Sequence, residues 1–473
     1  METIPFLGAS YESRSLSANA QKTVNWYVEP NPDGKGKVTL LPFPGLLKVR
    51  TLGTGPHRGA LEHKGAMFVV SGKEVYKVTD QEVITLCGTM NTAAGNVGLA
   101  SNGFHLVIVD GQDGWVWDDT TLDQITDVDF VDAQQIVFLD GYFIVNKPST
   151  GQFYVSSLYP AKADLVNGSG WTSTSYATAE VDPDNLKALI VQHRELWLLG
   201  DYTTEVYYNS GNASFTFARV SSGFIEWGIA APWSVAKLDN TVAWLAKNRQ
   251  GQGHVVKANG FNVQVISNPA LESAITSYAR IDDAKAFGFQ YMGHAFYVLT
   301  FPSADATWAL HINSGSWIQL KGYAVGRHPM ASHCFFNGKH YVGDYNSGNL
   351  YTLDKDTYTN NGETIERIRR TQHISKSGKN IFWHKLQIDV ESGVGLTTGQ
   401  GSDPQIMVRW SKDGGKTWSD AQWRSMGKIG EYTWRVMIHQ LGVARNMMFE
   451  VKVTDPVKAV ITDAYAKFTV GEH

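Results

Sequence analysis

Between residues 57 and 354 the apolar and polar positions repeat one short theme seven times. A turn built on Gly, Asn or Asp leads into four or five apolar or aromatic residues. A second polar turn follows, and then a further strand that usually ends in an aromatic. The turns fall at Gly65, Gly103, Gly141, Glu195, Asn240, Gly293 and Gly338, ahead of runs such as Met67-Phe68-Val69-Val70 and Phe296-Tyr297-Val298. These intervals sit near the ~40–50 residues of a blade of four antiparallel strands. One such sheet cannot bury both faces alone, so the copies must pack radially. The pattern predicts an all-β chain whose residues 51–362 form a β-propeller of about six to seven blades.

From about residue 363 the theme changes to strict alternation, as half-buried antiparallel strands require. The segments 364–370, 383–390, 405–410, 449–453 and 464–470 predict a C-terminal β-sandwich over 363–473. On its first strand, Arg367, Arg369 and Arg370 are expected on an outward face, solvated or at an interface. Residues 1–50 read as an extended N-terminal strap, with Val24 to Pro30 as one strand. Each proline in Leu41-Pro42-Phe43-Pro44-Gly45 biases its predecessor away from helix. One helix interrupts the β pattern. Asn268 caps it, Pro269 suits its first position, and Leu271, Ile275 and Tyr278 share a face that packs between blades or against a neighbouring subunit.

Charge and cysteine content narrow the function. The formal net charge is −4 and no Lys/Arg-rich run occurs, which argues against sequence-reading contact with duplex DNA. The N-terminus lacks the basic and apolar regions of a signal peptide, and no apolar stretch reaches the ~18 residues of a membrane span. Cys87 and Cys334 are expected to be reduced thiols, and synthesis is expected in a cytoplasm.

Ser411-Lys412-Asp413-Gly414-Gly415-Lys416-Thr417-Trp418 fits the Asp-box S-x-D-G-G-x-T-W. Here Ser411, Asp413, Gly414, Gly415, Thr417 and Trp418 are expected to form a structural hairpin clasp: Asp413 accepts backbone N–H groups, the glycines supply positive φ, and Trp418 packs beneath. Asp-boxes recur in sialidases but lie away from their active sites. Gly415-Lys416-Thr417 is no phosphate loop, because Trp410 stands where the first glycine belongs. His328, His333 and His340, with Cys334, match no zinc spacing. The sequons at Asn167 and Asn212 matter only for a secreted chain. Asp182, Asp184, Asp282 and Asp283 read as solvated turn residues. No catalytic, cofactor or metal residue is assigned.

Several segments, in one order along nearly the whole chain, resemble the packaged-DNA stabilisation proteins of short-tailed phages, also called tail accessory, hub or nozzle proteins. They include Val24-Asn25-Trp26-Tyr27, Leu41-Pro42-Phe43-Pro44-Gly45-Leu46, Arg58-Gly59, Ser71 to Val78, Thr204 to Tyr208, Gly228-Ile229-Ala230, Asn268 to Ile275, Asp389 to Gly395, the Asp-box, Gly427 to Tyr432 and Val453 to Lys458. The resemblance implies a non-enzymatic virion protein of the tail. It implies a homohexameric ring below the portal and its adaptor, holding needle, spikes or fibres, with double-stranded DNA passing through the lumen unread, without cofactor and without membrane insertion. The mildly acidic balance suits a wall that lets phosphate slide. The competing reading is a carbohydrate-binding or sialidase-like propeller, which needs arginines such as Arg194, Arg219, Arg249, Arg280 and Arg327 to converge on one point.

Overall fold

The computed structural model describes residues 1–34 and 36–471, with Gln252 by its backbone alone. Lys35, Glu472 and His473, which fall within the strap and sandwich expected from the sequence, lie outside the described residues. Four-stranded sheets succeed one another along the chain. The first runs His57–His63, Ala66–Ser71, Glu74–Val78 and Ile84–Thr89. The second to sixth have Gly98–Ser101, Ile136–Leu139, Leu186–Gln192, Ala236–Leu238 and Lys285–Tyr291 as their innermost strands. The seventh takes three strands from Met330–Phe336, Lys339–Asp344 and Asn349–Asp354, and its outermost strand, Gly45–Thr51, from the N-terminus. Neighbouring blades touch, mostly through their innermost strands, and Met330–Phe336 meets His57–His63, which closes the circle. The propeller therefore has seven blades.

The hairpins inside the blades explain the repeated turn signal. Lys64-Gly65, Asp140-Gly141, Met292-Gly293 and Asn337-Gly338 all hold two successive positive φ angles, the geometry whose twist matches right-handed strands. His193 and Arg194 do the same without glycine, so the fourth turn sits just before Glu195. Apolar faces of adjacent blades interlock. One buried cluster joins Leu245 and Val255 of the fifth blade to Tyr297, Leu299 and Trp317 of the sixth. The helix Pro269–Ser277 belongs to that cluster through Leu271 and Ile275. Asn268 caps it by accepting from the Leu271 N–H at 2.9 Å. Tyr278 stands just past its end, where its hydroxyl accepts from Trp308 Nε1 at 3.0 Å. The helix is an inter-blade wedge, and its apolar stripe is already covered.

The strap is itself β-structure, and its strands are shared out. The segment expected as one strand breaks at Asn25, whose φ of 54° is left-handed. Asn25 tolerates that conformation because its buried amide is fully engaged, with Nδ2 donating to the Lys321 and Glu366 carbonyls and Oδ1 accepting from the Lys321 N–H. On one side of the break, Ala20–Val24 pairs with Arg367–Arg370 in one sandwich sheet and runs parallel to Ser316–Leu320 of the sixth blade. On the other, Trp26–Pro30 and Val38–Pro42 enter the second sandwich sheet beside Ile461–Val470, Ile381–Val390 and Val436–Ala444. Between the sheets lies a core that includes Trp26, Trp383, Phe449 and Ile388.

Arg367 and Arg369 do not face outward: both are 0% exposed. Residues two apart on a strand share a face. These two therefore point inward together, beside Thr23, Val451 and Val453, and Arg370 takes the opposite face. Arg369 is held by neutral acceptors. Nε donates to Phe6 O at 2.7 Å, Nη1 reaches Gly8 O, Ala9 O and Thr23 Oγ1, and Nη2 reaches Gln21 Oε1 at 2.8 Å. Burial pulls its pKa down to about 9, and it stays protonated at neutral pH. The guanidinium latches the first nine residues onto the sandwich.

Buried imidazoles make this fold acid-sensitive. Burial pushes His311 down to about 4 and His328 to about 3. Unfolded imidazoles take up protons below about 6.5. From there down to those depressed values the unfolded chain binds more protons, so stability falls as pH falls. The slope reaches roughly 1.4 kcal/mol per pH unit for each such ring. Melting temperatures measured from pH 7.5 to 4.5 should therefore decline steadily below pH 6.5; a flat profile would show that these rings are not buried neutral.

Candidate functional site

The innermost strands of the blades enclose an axial cavity of about 290 Å³. A duplex whose major groove alone is about 12 Å wide cannot enter it. Any DNA path must therefore run outside the propeller axis. Two cationic side chains, Arg58 and Lys285, and no acidic ones are among its lining residues.

Charge is divided unevenly over the chain. Residues 363–473 carry 16 Lys+Arg against 12 Asp+Glu, and residues 1–362 carry 25 against 33. The sandwich thus stands at +4 and the remainder at −8. The modest net value conceals a basic part joined to an acidic one. At the edge of its sheet, the strand Gln422–Ser425 and the loop after it expose Trp423, Ile429, Tyr432 and Trp434, by 57%, 55%, 75% and 44%. Arg424, Lys428 and Arg435 are interspersed with them. Exposed aromatics grouped in this way mark contact surfaces.

The Asp-box residues form a hydrogen-bonded turn. Ser411 Oγ donates to Asp413 Oδ1 at 2.8 Å and accepts from the Gly415 N–H at 2.8 Å. Asp413 accepts from the Lys416 and Thr417 N–H groups and from Thr417 Oγ1 at 2.6 Å. Gly414 and Gly415 have φ of 79° and 89°. These contacts, led by the Thr417 hydroxyl, hold the Asp413 carboxyl far below the usual range. The Lys416 and Thr417 N–H groups around Asp413 are exposed, so water replaces the carboxylate when it is removed. Trp418 packs against the turn, its Nε1 donating to Gly415 O at 3.1 Å. The Arg370 and Arg409 guanidinium groups stand over its ring at 5.1 and 5.0 Å, and both bind the buried Glu450. Asp413→Ala in the full chain should lower the melting temperature by no more than about 2 °C. A larger loss would mean that the turn is cooperative with the core. The isolated 363–473 fragment does not offer this test, because it lacks the N-terminal strands of both sheets.

The scattered arginines are each engaged separately. Arg194 pairs with Asp140, Arg249 with Asp182, Arg280 with Asp282, and Arg219 lies 3.9 Å from Glu205. Arg327 stacks over Tyr345 at 3.3 Å. No two share a carboxylate among the described ion pairs. Asp184 accepts from the Tyr202 and Thr203 N–H groups, and Asp283 from Ser303. Burial raises Asp184 and Glu205, yet both are occupied as turn and strand staples. His333 bonds His340 at 3.0 Å and stacks on Phe287, and His328 packs against Phe43. Cys334 faces the other way, into a cluster with Leu52 and Met67, and both cysteines are free. Among the described residues no group of three or more His, Cys, Asp or Glu is placed to hold a metal ion. No helix among them is long and apolar enough to cross a membrane.

Sequence reasoning missed the axial pair Arg58 and Lys285, since only the closed ring brings strands so far apart in sequence together. The inward course of Arg367 and Arg369 was legible: their spacing of two separates them from Arg370.

Three solved structures are distantly similar to the chain. The extracellular domain of a one component system from B. thetaiotaomicron is 10% identical with a TM-score of 0.44; the match covers 88% of this chain and 58% of that one. The N-terminal domain of Nup159 is 9% identical with a TM-score of 0.41, covering 70% and 98%. The WD40 propeller domain of Doa1 is 13% identical at 0.41, covering 66% and 96%. No curated protein matches the chain. Residues 2–358 match the family described as bacteriophage P22 Gp10, beta-propeller, and residues 366–469 its beta-sandwich counterpart. With both parts matched in order, the chain belongs to the bacteriophage P22 Gp10 family.

Proposed function

We propose that this chain is a subunit of a homo-oligomeric ring, a hexamer by family analogy, that extends the DNA channel of a short phage tail below the portal and adaptor. Family membership makes the chain a structural component of a phage particle. Its place in the tail, the ring and the retention of packaged DNA are the proposal. The observation that carries it is the division of charge. An acidic propeller part bordering the lumen repels phosphate and lets DNA slide, whereas a basic sandwich with exposed aromatics is suited to meet the acidic part of the next subunit. The DNA path lies between subunits, because the axis of each propeller is too narrow. Fibres, spikes or needle then attach to the outer or distal surface.

The contact is tested by replacing Trp423 and Tyr432 together with alanine. Both are exposed, so the melting temperature should stay within about 2 °C. Sedimentation with a portal–adaptor complex should show the wild-type chain co-migrating and the double variant at least tenfold weaker, the loss expected when interface aromatics are removed. Wild-type protein that ignores the portal–adaptor complex, or that cleaves a bacterial polysaccharide or sialoside, would overturn the proposal.

A further inference from the structure

The axial cavity carries chemistry that the conduit role does not use. Arg58 and Lys285 are the cationic side chains on its wall, and none of the lining residues is acidic. Arg58 is 5% exposed and fixed in place. Nε donates to Gly95 O at 2.9 Å, Nη1 to Gly72 O at 3.0 Å and Thr92 O at 2.8 Å, and Nη2 to Thr92 Oγ1 at 2.9 Å. Thr92 in turn donates to Asp110, outside the cavity. These bonds use four of the five guanidinium N–H groups and leave one on Nη2. Lys285 is in the opposite situation. Its ammonium makes no hydrogen bond or ion pair with any described residue. Burial, with Arg327 and Arg58 nearby, lowers its pKa against the weaker opposing pull of Asp283. Asp283 is itself bonded to Ser303.

The other polar groups on the wall do not neutralise this charge. Gln135 is used at both ends, donating to Pro232 O at 2.8 Å and accepting from the Leu189 N–H at 2.7 Å. His333 is bonded to His340, and burial keeps it neutral at pH 7. Ser332 offers a hydroxyl. A fixed guanidinium, an ammonium without an ion-pair partner and a neutral hydroxyl around one recess, with Asp110 and Asp283 outside its lining, form an environment complementary to an oxyanion.

We propose that the axial cavity is a binding site for a small phosphate-class oxyanion held between Lys285 and Arg58. Arg58 belongs to the first blade and Lys285 to the sixth. They flank the seventh, which the N-terminal strand Gly45–Thr51 closes. A bound anion therefore ties the blades on either side of the closure and adds to the stability of the ring of blades. This inference stands independently of the tail assembly.

The test is calorimetry and thermal melting of the full chain with inorganic phosphate, at ionic strength held constant with sodium chloride. One phosphate per chain should bind and raise the melting temperature saturably. Lys285→Met should weaken binding at least tenfold, and Lys285→Arg should retain most of it. Adenosine monophosphate and a short DNA duplex separate the sources of the phosphate: free phosphate should compete, and the duplex, too wide to enter, should not. A response no greater than that to chloride, or one unchanged in Lys285→Met, would overturn the site, as would binding of the duplex with none of free phosphate. If Lys285→Met fails to fold, calorimetry on the wild-type chain decides: one saturable phosphate per chain, absent with chloride, supports the site, and no such binding removes it.

Discussion

A chain lacking residues 1–51 is expected to give no cooperative melt and to collect in aggregates. The deletion removes the outer strand of the seventh blade, so the propeller loses its closure and Asn349–Asp354 becomes an open edge. It also strips the sandwich of Ala20–Val24, Trp26–Pro30 and Val38–Pro42. Trp26, Val28, Leu40, Phe43 and Leu46 are all buried. At roughly 1.5–3 kcal/mol for each buried side chain, their loss alone is comparable with the whole stability of a domain, about 5–15 kcal/mol. Circular dichroism and calorimetry of the truncated chain are the check. A sharp transition near that of the full chain would show that the strap is dispensable.

Arg369→Met is the single substitution with the largest expected effect. It keeps an unbranched chain of similar length but leaves the Phe6, Gly8 and Ala9 carbonyls without their donor. A buried group left unpaired costs about 1–3 kcal/mol. Relief from burying the cation offsets part of this, for a net loss of roughly 3–5 kcal/mol. Arg369→Lys should fare little better, because one ammonium cannot reach acceptors spread around a planar fork. Denaturant unfolding measures both. A change below about 1 kcal/mol would mean that the N-terminal carbonyls find other donors, and that the latch is not what holds residues 6–9.

The blades were legible because each hairpin carries its own punctuation: Asp140-Gly141 and Asn337-Gly338 announce a turn without reference to anything distant. The five C-terminal segments read from strict alternation also became strands. Partnership was not legible. Nothing in Gly45–Thr51 names Asn349–Asp354 as its neighbour, because strand pairing is decided by which ring is left open, across three hundred residues of intervening chain. Val436–Ala444 was missed because Gln440 and Gly442 take positive φ and interrupt its alternation. Asn25 looked like one polar residue within a strand, yet its left-handed turn transfers the chain from one sandwich sheet to the other. Net charge hid its own distribution, since −4 is the sum of a basic sandwich and an acidic remainder.

The central claim is a ring that conducts DNA between subunits, and electron cryomicroscopy of particles or of portal–adaptor complexes carrying this protein tests it most directly. The account predicts a closed ring coaxial with the portal, DNA density on the common axis bordered by residues 1–362, and the sandwich of each subunit seated against its neighbour through Trp423 and Tyr432. Protein found at the periphery as a fibre, or a DNA channel walled by the basic sandwich, would contradict it.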